Sequence, residues 1–206
     1  MALLCIIMSN FFFDRAYAAR TADETRAFRD AWAATFDTEA AAAGYATPVR
    51  CAAALARFSD ASTVLDFGCG TGLSGAALKQ AGFACIDGAD LSPDMLARAA
   101  DKQIYRSLTQ LDSEPHISGG YDAIAAVDII GSSAAPMAVF DRLLRALNRG
   151  GKLVFSLDDR ALADPVSISG MNEWLDCGAA RLLFVEYGDH LPELQVKANV
   201  YVIEKA

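Results

Sequence analysis

From residue 62 onward, short apolar runs alternate with stretches whose apolar positions recur at helical spacing. TVLDF gives way to a helical pattern over about 72–81, and FACIDGAD to a helix from Ser92 to Asp101. A short strand is expected near Tyr105 to Leu111. YDAIAAVD then leads to a helix opened by Pro136, whose Met137, Phe140, Leu144 and Leu147 share a face, and Gly150-Gly151 closes it before KLVFSLD. This alternation predicts a parallel sheet. The last quarter departs from it, because RLLFVEYG and NVYVIEK are joined by only about ten residues containing Pro192, which predicts an antiparallel pair.

Ahead of the sheet, Thr21-Ala22-Asp23-Glu24 reads as a capping box, and Phe28, Trp32 and Phe36 recur every four residues on one aromatic helix face. That face either packs against the main body or covers a ligand, with Trp32 and Phe36 as the lid residues. Thr47 as N-cap with Pro48 at the first helical position predicts a second helix running toward Phe58. Ser92-Pro93-Asp94 is a helix start of the same kind, with an acid in the positive first turn.

A chain of 206 residues holds one large α/β domain rather than two, and 53% hydrophobic with 21% charged residues suits a soluble globular protein. The net charge of −8 repels phosphate backbones and anionic lipid, so a small-molecule partner is expected, with no nucleic acid and no membrane. Cys5, Cys51, Cys69, Cys85 and Cys177 form no C-x-x-C pair and have only His116 and His190 to assist them. Thiols in a reducing cytoplasm are therefore expected, not disulfides or a zinc site. The apolar start MALLCIIMSNFFFDR lacks a basic leader region and is interrupted by Ser9, Asn10 and Asp14. It reads as neither a spanning helix nor a secretory signal, and Met8 is an alternative first residue.

VLDFGCGTGLSG, residues 64–75, fits two glycine patterns: an acid followed by G-x-G-x-G from Gly68, or G-x-G-x-x-G from Gly70. The second is the phosphate loop of dinucleotide-dependent oxidoreductases, whose first glycine should follow the strand directly so that a diphosphate meets the helix N-terminus. Here Asp66, Gly68 and Cys69 precede Gly70, and a carboxylate stands at the strand end. That carboxylate suits an ammonium group, as on the methionine end of S-adenosylmethionine, whose own carboxylate the loop N–H groups can take. Asp90 closes the next strand, where an acid accepts two hydrogen bonds from a ribose diol, and Leu91 offers an apolar surface to a base.

VLDFGCGTG, GADLSPDMLARAADK, YDAIAAVD and LNRGGKLVFSL, in this order and with the terminal strand pair, resemble the class I S-adenosylmethionine-dependent methyltransferases over residues 62–206. WAATFD and GYATP are similar to the N-terminal helices of the small-molecule, Williams-Beuren-region-like group, with Phe36 where that group usually has tyrosine. The resemblance implies a Rossmann-like, seven-stranded, mostly parallel sheet with helices on both faces and an antiparallel last strand, under an N-terminal helical cap. Residues 1–60 are the cap and 61–206 the methyltransferase domain. It implies that Asp66, Gly68, Cys69, Gly70 and Gly72 hold the methionine moiety, Asp90 the ribose, Leu91 and Met95 the adenine faces, and Asp112 the adenine amino group.

Methyl transfer from an activated sulfonium needs alignment above all, and a general base only where the acceptor is protonated. Asp128, ending the fourth strand, is the candidate base, with a solvated strand-end aspartate as the ordinary alternative. Asp128, Asp158 and Asp159 could together hold magnesium, but capping or solvation explains the last two equally well, and no metal is expected. No N-P-P-Y or D-P-P-Y follows YDAIAAVD. The small, nearly uncharged IIGSSAAP there suggests a compact acceptor pocket. The alternatives are a non-catalytic S-adenosylmethionine sensor and a nicotinamide-dependent oxidoreductase.

Overall fold

Seven strands form one sheet in the order β3-β2-β1-β4-β5-β7-β6. They are β1 (Val64–Phe67), β2 (Ile86–Asp90), β3 (Ser107–Gln110), β4 (Tyr121–Ala126), β5 (Leu147–Asp158), β6 (Ala180–Leu191) and β7 (Val196–Lys205). The computed structural model describes residues 21–113, 117, 119–130 and 137–206. The expectations for the chain start, for IIGSSAAP beyond Ile130 and for Pro136 lie outside these residues. β1 to β5 pair in parallel, and β7 runs antiparallel between β5 and β6. The strand order reverses beside β1, so the loops leaving β1 and β4 diverge at the carboxyl edge and open a crevice there.

Strand residues alternate between two cores, as the two-residue period of a strand requires. Leu65, Phe67, Ile124 and Phe155 face α6 (Met137–Ala146) and α8 (Pro165–Asp176) through Phe140, Leu143, Leu144 and Met171. Val64, Ile86, Ala123 and Val154 face α3 (Thr47–Ala56) and α4 (Leu73–Gln80) through Leu55, Ala77 and Leu78. Side chains as fully buried as Leu55 and Phe140 each contribute about 1.5–3 kcal/mol of transfer free energy.

A third cluster is the cap. α1 (Ala22–Trp32) opens with the expected capping box, Thr21 and Glu24 bonding reciprocally. It ends at Trp32, and Phe36 begins α2 (Phe36–Ala43), so the aromatic face spans two helices and not one. The rings stay in sequence across the break, with centroids 5.6 Å apart for Phe28 and Trp32 and 4.7 Å for Trp32 and Phe36. They pack on Met95 of α5 (Pro93–Asp101) and on Leu191.

Three further expectations change in detail. Thr47 is the first residue of α3 rather than its side-chain cap, because its hydroxyl meets His190 instead. α6 stops at Ala146 and Leu147 already pairs with Tyr121, so Gly150-Gly151 lie within β5 at an irregularity in the ladder. The terminal strands run longer than their apolar cores, leaving a 3-10 turn at Pro192–Leu194 as the connection.

Candidate functional site

The chain leaves β1 through Gly68, Gly70 and Gly72, all at positive φ (+75°, +52° and +96°), a region that side chains resist. The Gly68 and Cys69 amides donate to the Ala89 carbonyl at 2.7 and 3.0 Å, which ties the loop to the end of β2. A Cβ on Gly68 would lie 2.3 Å from Ile129 Cδ1, so no side chain fits there. At Gly70 a Cβ would meet no atom within 4 Å, since that backbone faces the crevice.

Asp90 is held from both sides. Its Oδ2 accepts from the Gly70 amide at 2.8 Å and its Oδ1 from the Ser92 amide at 2.9 Å. Burial raises its pKa, opposed by the Ser92 amide, the Arg29 guanidinium and the Gly70 amide. Ser92 caps α5 by accepting from the Met95 amide at 3.1 Å, which fixes the turn carrying Leu91 and Met95.

Asp66 sits behind the loop. Its Oδ2 accepts hydroxyls from Ser74 and Tyr105, both at 2.7 Å, while its Oδ1 is buried with no hydrogen-bond partner among the described residues. Burial pushes this carboxyl up to about 6 against the pull of the two hydroxyls.

A cavity of about 340 Å³ lies between the loop, the strand ends and the cap. Its wall gathers the expected Trp32, Phe36, Gly68, Cys69, Gly70, Asp90, Leu91, Met95, Asp112 and Asp128. Asp66 and Gly72 stand behind this wall and not on it. Trp32 and Phe36 belong to the packed cap cluster and also line the cavity. Two carboxylates latch the cap down. Asp37 accepts from Thr71 and Lys102, and Asp30 accepts from Ser92, so the cap grips the glycine loop and the head of α5.

The opposite end of the cavity is polar. Asp128 has φ +57°, unusual for a non-glycine residue, and Ser156 locks it there. Its amide donates to Ser156 Oγ at 2.9 Å, and that hydroxyl donates to Asp128 Oδ1 at 2.7 Å. His190 Nδ1 lies 2.7 Å from Thr47 Oγ1 and 3.5 Å from Asp128 Oδ2. Tyr45 stands edge-on to the imidazole at 5.6 Å, and its phenol is raised by burial and then by Asp128. Asp158 also lines the cavity; its Oδ1 caps α7 (Asp159–Ala163), and its Oδ2 is buried without a partner among the described residues. Asp159 accepts instead from Tyr187 and the Lys197 amide. Among the described residues, no three acidic, histidine or cysteine side chains are grouped to hold a metal.

Sequence reasoning missed Tyr45, His190 and Arg29 as cavity residues. No local spacing marks them, because Thr47 and His190 are 143 residues apart and meet only through the fold. Cys51, Cys69, Cys85 and Cys177 are free thiols, and no helix among the described residues is long and apolar enough to cross a membrane.

Residues 43–197 match the family model described as a methyltransferase domain. Human methyltransferase-like protein 27 is 36% identical over 117 residues, covering 53% of this chain and 48% of that protein. The Saccharomyces cerevisiae 18S rRNA (guanine(1575)-N(7))-methyltransferase is 34% identical over 107 residues, covering 45% of this chain and 39% of that one. The chain thus spans half or less of the length of these curated relatives. Magnesium protoporphyrin IX methyltransferase from Synechocystis PCC 6803, solved with bound S-adenosylmethionine, shares the fold with TM-score 0.55 at 19% identity, over 77% of each chain. By its sequence match this chain belongs to the methyltransferase domain family, and its sheet has the class I fold.

Proposed function

We propose that the protein transfers a methyl group from S-adenosylmethionine to a small-molecule acceptor held between the strand ends and the aromatic cap. The observation that carries this reading is the cavity itself. One end is a glycine loop with a backbone-anchored acid, the other a cluster of proton-handling side chains, and an aromatic cap lies over both. A cavity of about 340 Å³ walled by Trp32, Phe36, Leu91 and Met95 is of the size that takes small ligands rather than a nucleic-acid strand. The net charge of −8 supports the same choice. The free thiols are in keeping with a cytoplasmic setting.

When bound, the cofactor supplies a sulfonium methyl already activated toward nucleophiles. The chain's own residues then orient and enclose. Asp90, anchored by two amides, accepts the ribose diol; Leu91 and Met95 take the adenine faces, and Asp112 its amino group. Gly68, Cys69 and Gly70 present backbone to the methionine end, while Asp66 and Gly72 shape the loop from behind. Arg29 is on the same wall, its guanidinium 5.4 Å over the Trp32 ring, and would supply the positive charge for the methionine carboxylate. The cap helices α1 and α2 exclude water over the cavity, so that nucleophile, methyl and sulfur can align.

The test is ligand-dependent stabilisation. S-adenosylhomocysteine in large excess over its dissociation constant should raise the melting temperature and NAD should not, because only a ligand of the native state shifts the midpoint. Asp90→Ala should abolish the shift. A response to NAD alone would reject the reading.

A further inference from the structure

We propose that Tyr105 is a positioning residue of the cofactor site: its phenol, seated in a slot left open by Gly75 and Gly88, holds Asp66 under the glycine loop as a carboxylate, and the ammonium tail of the cofactor binds against that charge. This rests on the reading of the cavity as a methyl-transfer site and concerns how the cofactor loop is supported from behind.

Gly75, the last glycine of the G-x-G-x-x-G pattern, is not needed for the turn. Unlike Gly70 and Gly72 it has no positive φ, and it lies inside α4, where glycine is a poor helix former. What it provides is space. A Cβ on Gly75 would fall 2.3 Å from the Tyr105 hydroxyl oxygen and 2.4 Å from its Cζ. Gly88, in the middle of β2 and also without a positive φ, is similar: a Cβ there would lie 2.9 Å from Tyr105 Cδ1 and 2.7 Å from Leu108 Cδ2. The ring thus passes between α4 and β2 to reach β1, through two positions that no larger residue can take without moving it. The glycine pattern that resembles a diphosphate loop owes its third member to this tyrosine.

At the end of the slot Tyr105 donates to Asp66 Oδ2, and Ser74 donates to the same oxygen, both at 2.7 Å. Burial opposes a charge on Asp66, which is fully enclosed, and hydroxyls donated to a carboxyl favour its charged form. The two donors therefore decide whether Asp66 is ionised at neutral pH. The phenol never ceases to donate, because burial and then the Asp66 charge raise it far above its ordinary range. The other ionisable groups acting on Asp66 are Asp90 at the end of β2, Cys69 in the loop and Cys51 on α3. Burial raises both thiols, which stay neutral, and Asp90 repels the Asp66 charge, so Ser74 and Tyr105 are the groups that sustain it. Asp66 stands behind the cavity wall and acts on a ligand through its field and not by contact. In a dry interior that field is weakly screened, and a cation resting on the backbone of Gly68 to Gly70 would feel it.

Calorimetric titration with S-adenosylhomocysteine, over a pH range centred on 6, tests this. The ligand's ammonium and carboxylate keep their charges there, so affinity should rise as pH rises through about 6, where Asp66 ionises, and level off above. Tyr105→Phe leaves the ring in its slot and removes one donor, and it should move that rise upward by about one pH unit. Ser74→Ala should move it the same way. A purely structural role for Tyr105 would lower affinity alike at every pH. Asp66→Asn should abolish the rise, and 5′-methylthioadenosine, which lacks the amino-acid tail, should bind without one. The proposal is overturned by a rise that stays in place in Tyr105→Phe, survives Asp66→Asn or appears with 5′-methylthioadenosine. The slot has its own check: Gly75→Ala should lower the melting temperature of the otherwise unmutated chain and add little to Tyr105→Ala, and equal losses in both backgrounds would refute it. Failure of the unmutated chain to bind S-adenosylhomocysteine at any pH would instead mean that the methyl-transfer reading has failed.

Discussion

At one end of the cavity, Gly70 and Asp90 are twenty residues apart and joined by a backbone amide; at the other, Thr47 and His190 are separated by 143 residues and joined by side chains. The first end is built from one strand-loop-helix-strand unit, so its geometry follows from the local rules of glycine turns and helix caps. The second is assembled where α3, β4, β5 and β6 converge, and depends on the whole sheet being in register. Changes at the loop should therefore remove the ligand, whereas changes at the far end should leave the ligand bound and alter what is done with it.

The largest effect is expected at Gly68. Its φ of +75° alone would cost a side chain about 1–3 kcal/mol, and the Ile129 side chain 2.3 Å from an added Cβ must move as well. Gly68→Ala should lower the melting temperature and abolish stabilisation by S-adenosylhomocysteine together. A Gly68→Ala protein that kept both would show that the two ends do not differ as argued.

Asp66 gives the next effect, and its sign is specific. A folded-state pKa of about 6 against the ordinary 3.8 means that the native state holds the proton more tightly than the unfolded one between those values. Stability should then fall as pH rises from about 4 to 6, by roughly 3 kcal/mol, and stay at the lower level above. Asp66→Asn removes the titrating group and should flatten that slope in denaturant melts. An unchanged slope would locate the titration elsewhere.

Much of the glycine-loop end of the cavity was legible in the sequence because its signals are contiguous. VLDFGCG, the acid closing β2 and the Ser92-Pro93 cap each carry a local physical requirement, and the fold put most of them on one wall. Asp66 shows the limit of such reading. A carboxylate at a strand end reads as a ligand for an ammonium group, but the strand is buried on all its residues, and the carboxyl turns under the loop to Ser74 and Tyr105. Thr47 fails for a different reason: Thr-Pro is a helix-start signal, but the hydroxyl oxygen that would accept a capping N–H lies 2.7 Å from Nδ1 of a histidine on the far strand instead. Only the tertiary fold decides between those partners.

Thr47→Val separates the two ends at smaller cost. It keeps the shape of a fully buried residue and removes the one hydroxyl on His190 Nδ1, so a loss of about 1–2 kcal/mol is expected. The S-adenosylhomocysteine thermal shift should match that of the unmutated chain. A weakened ligand response would mean that the ends are coupled.

The smallest expected effect lies at the latch between them. Lys102 Nζ reaches Asp37 Oδ2 and the Thr71 carbonyl, both at 2.7 Å, so one side chain links the cap to the glycine loop. Half of the Asp37 side chain is in water, and ion pairs so exposed are worth about 0.2–1 kcal/mol. Asp37→Asn should therefore change the melting temperature little. Because the latch bears on the loop, its loss should weaken S-adenosylhomocysteine binding a few-fold, and the deficit should shrink as salt is raised, since screening already weakens the intact pair. A salt-independent deficit would trace the effect to the Thr71 hydroxyl, which donates to the same carboxylate.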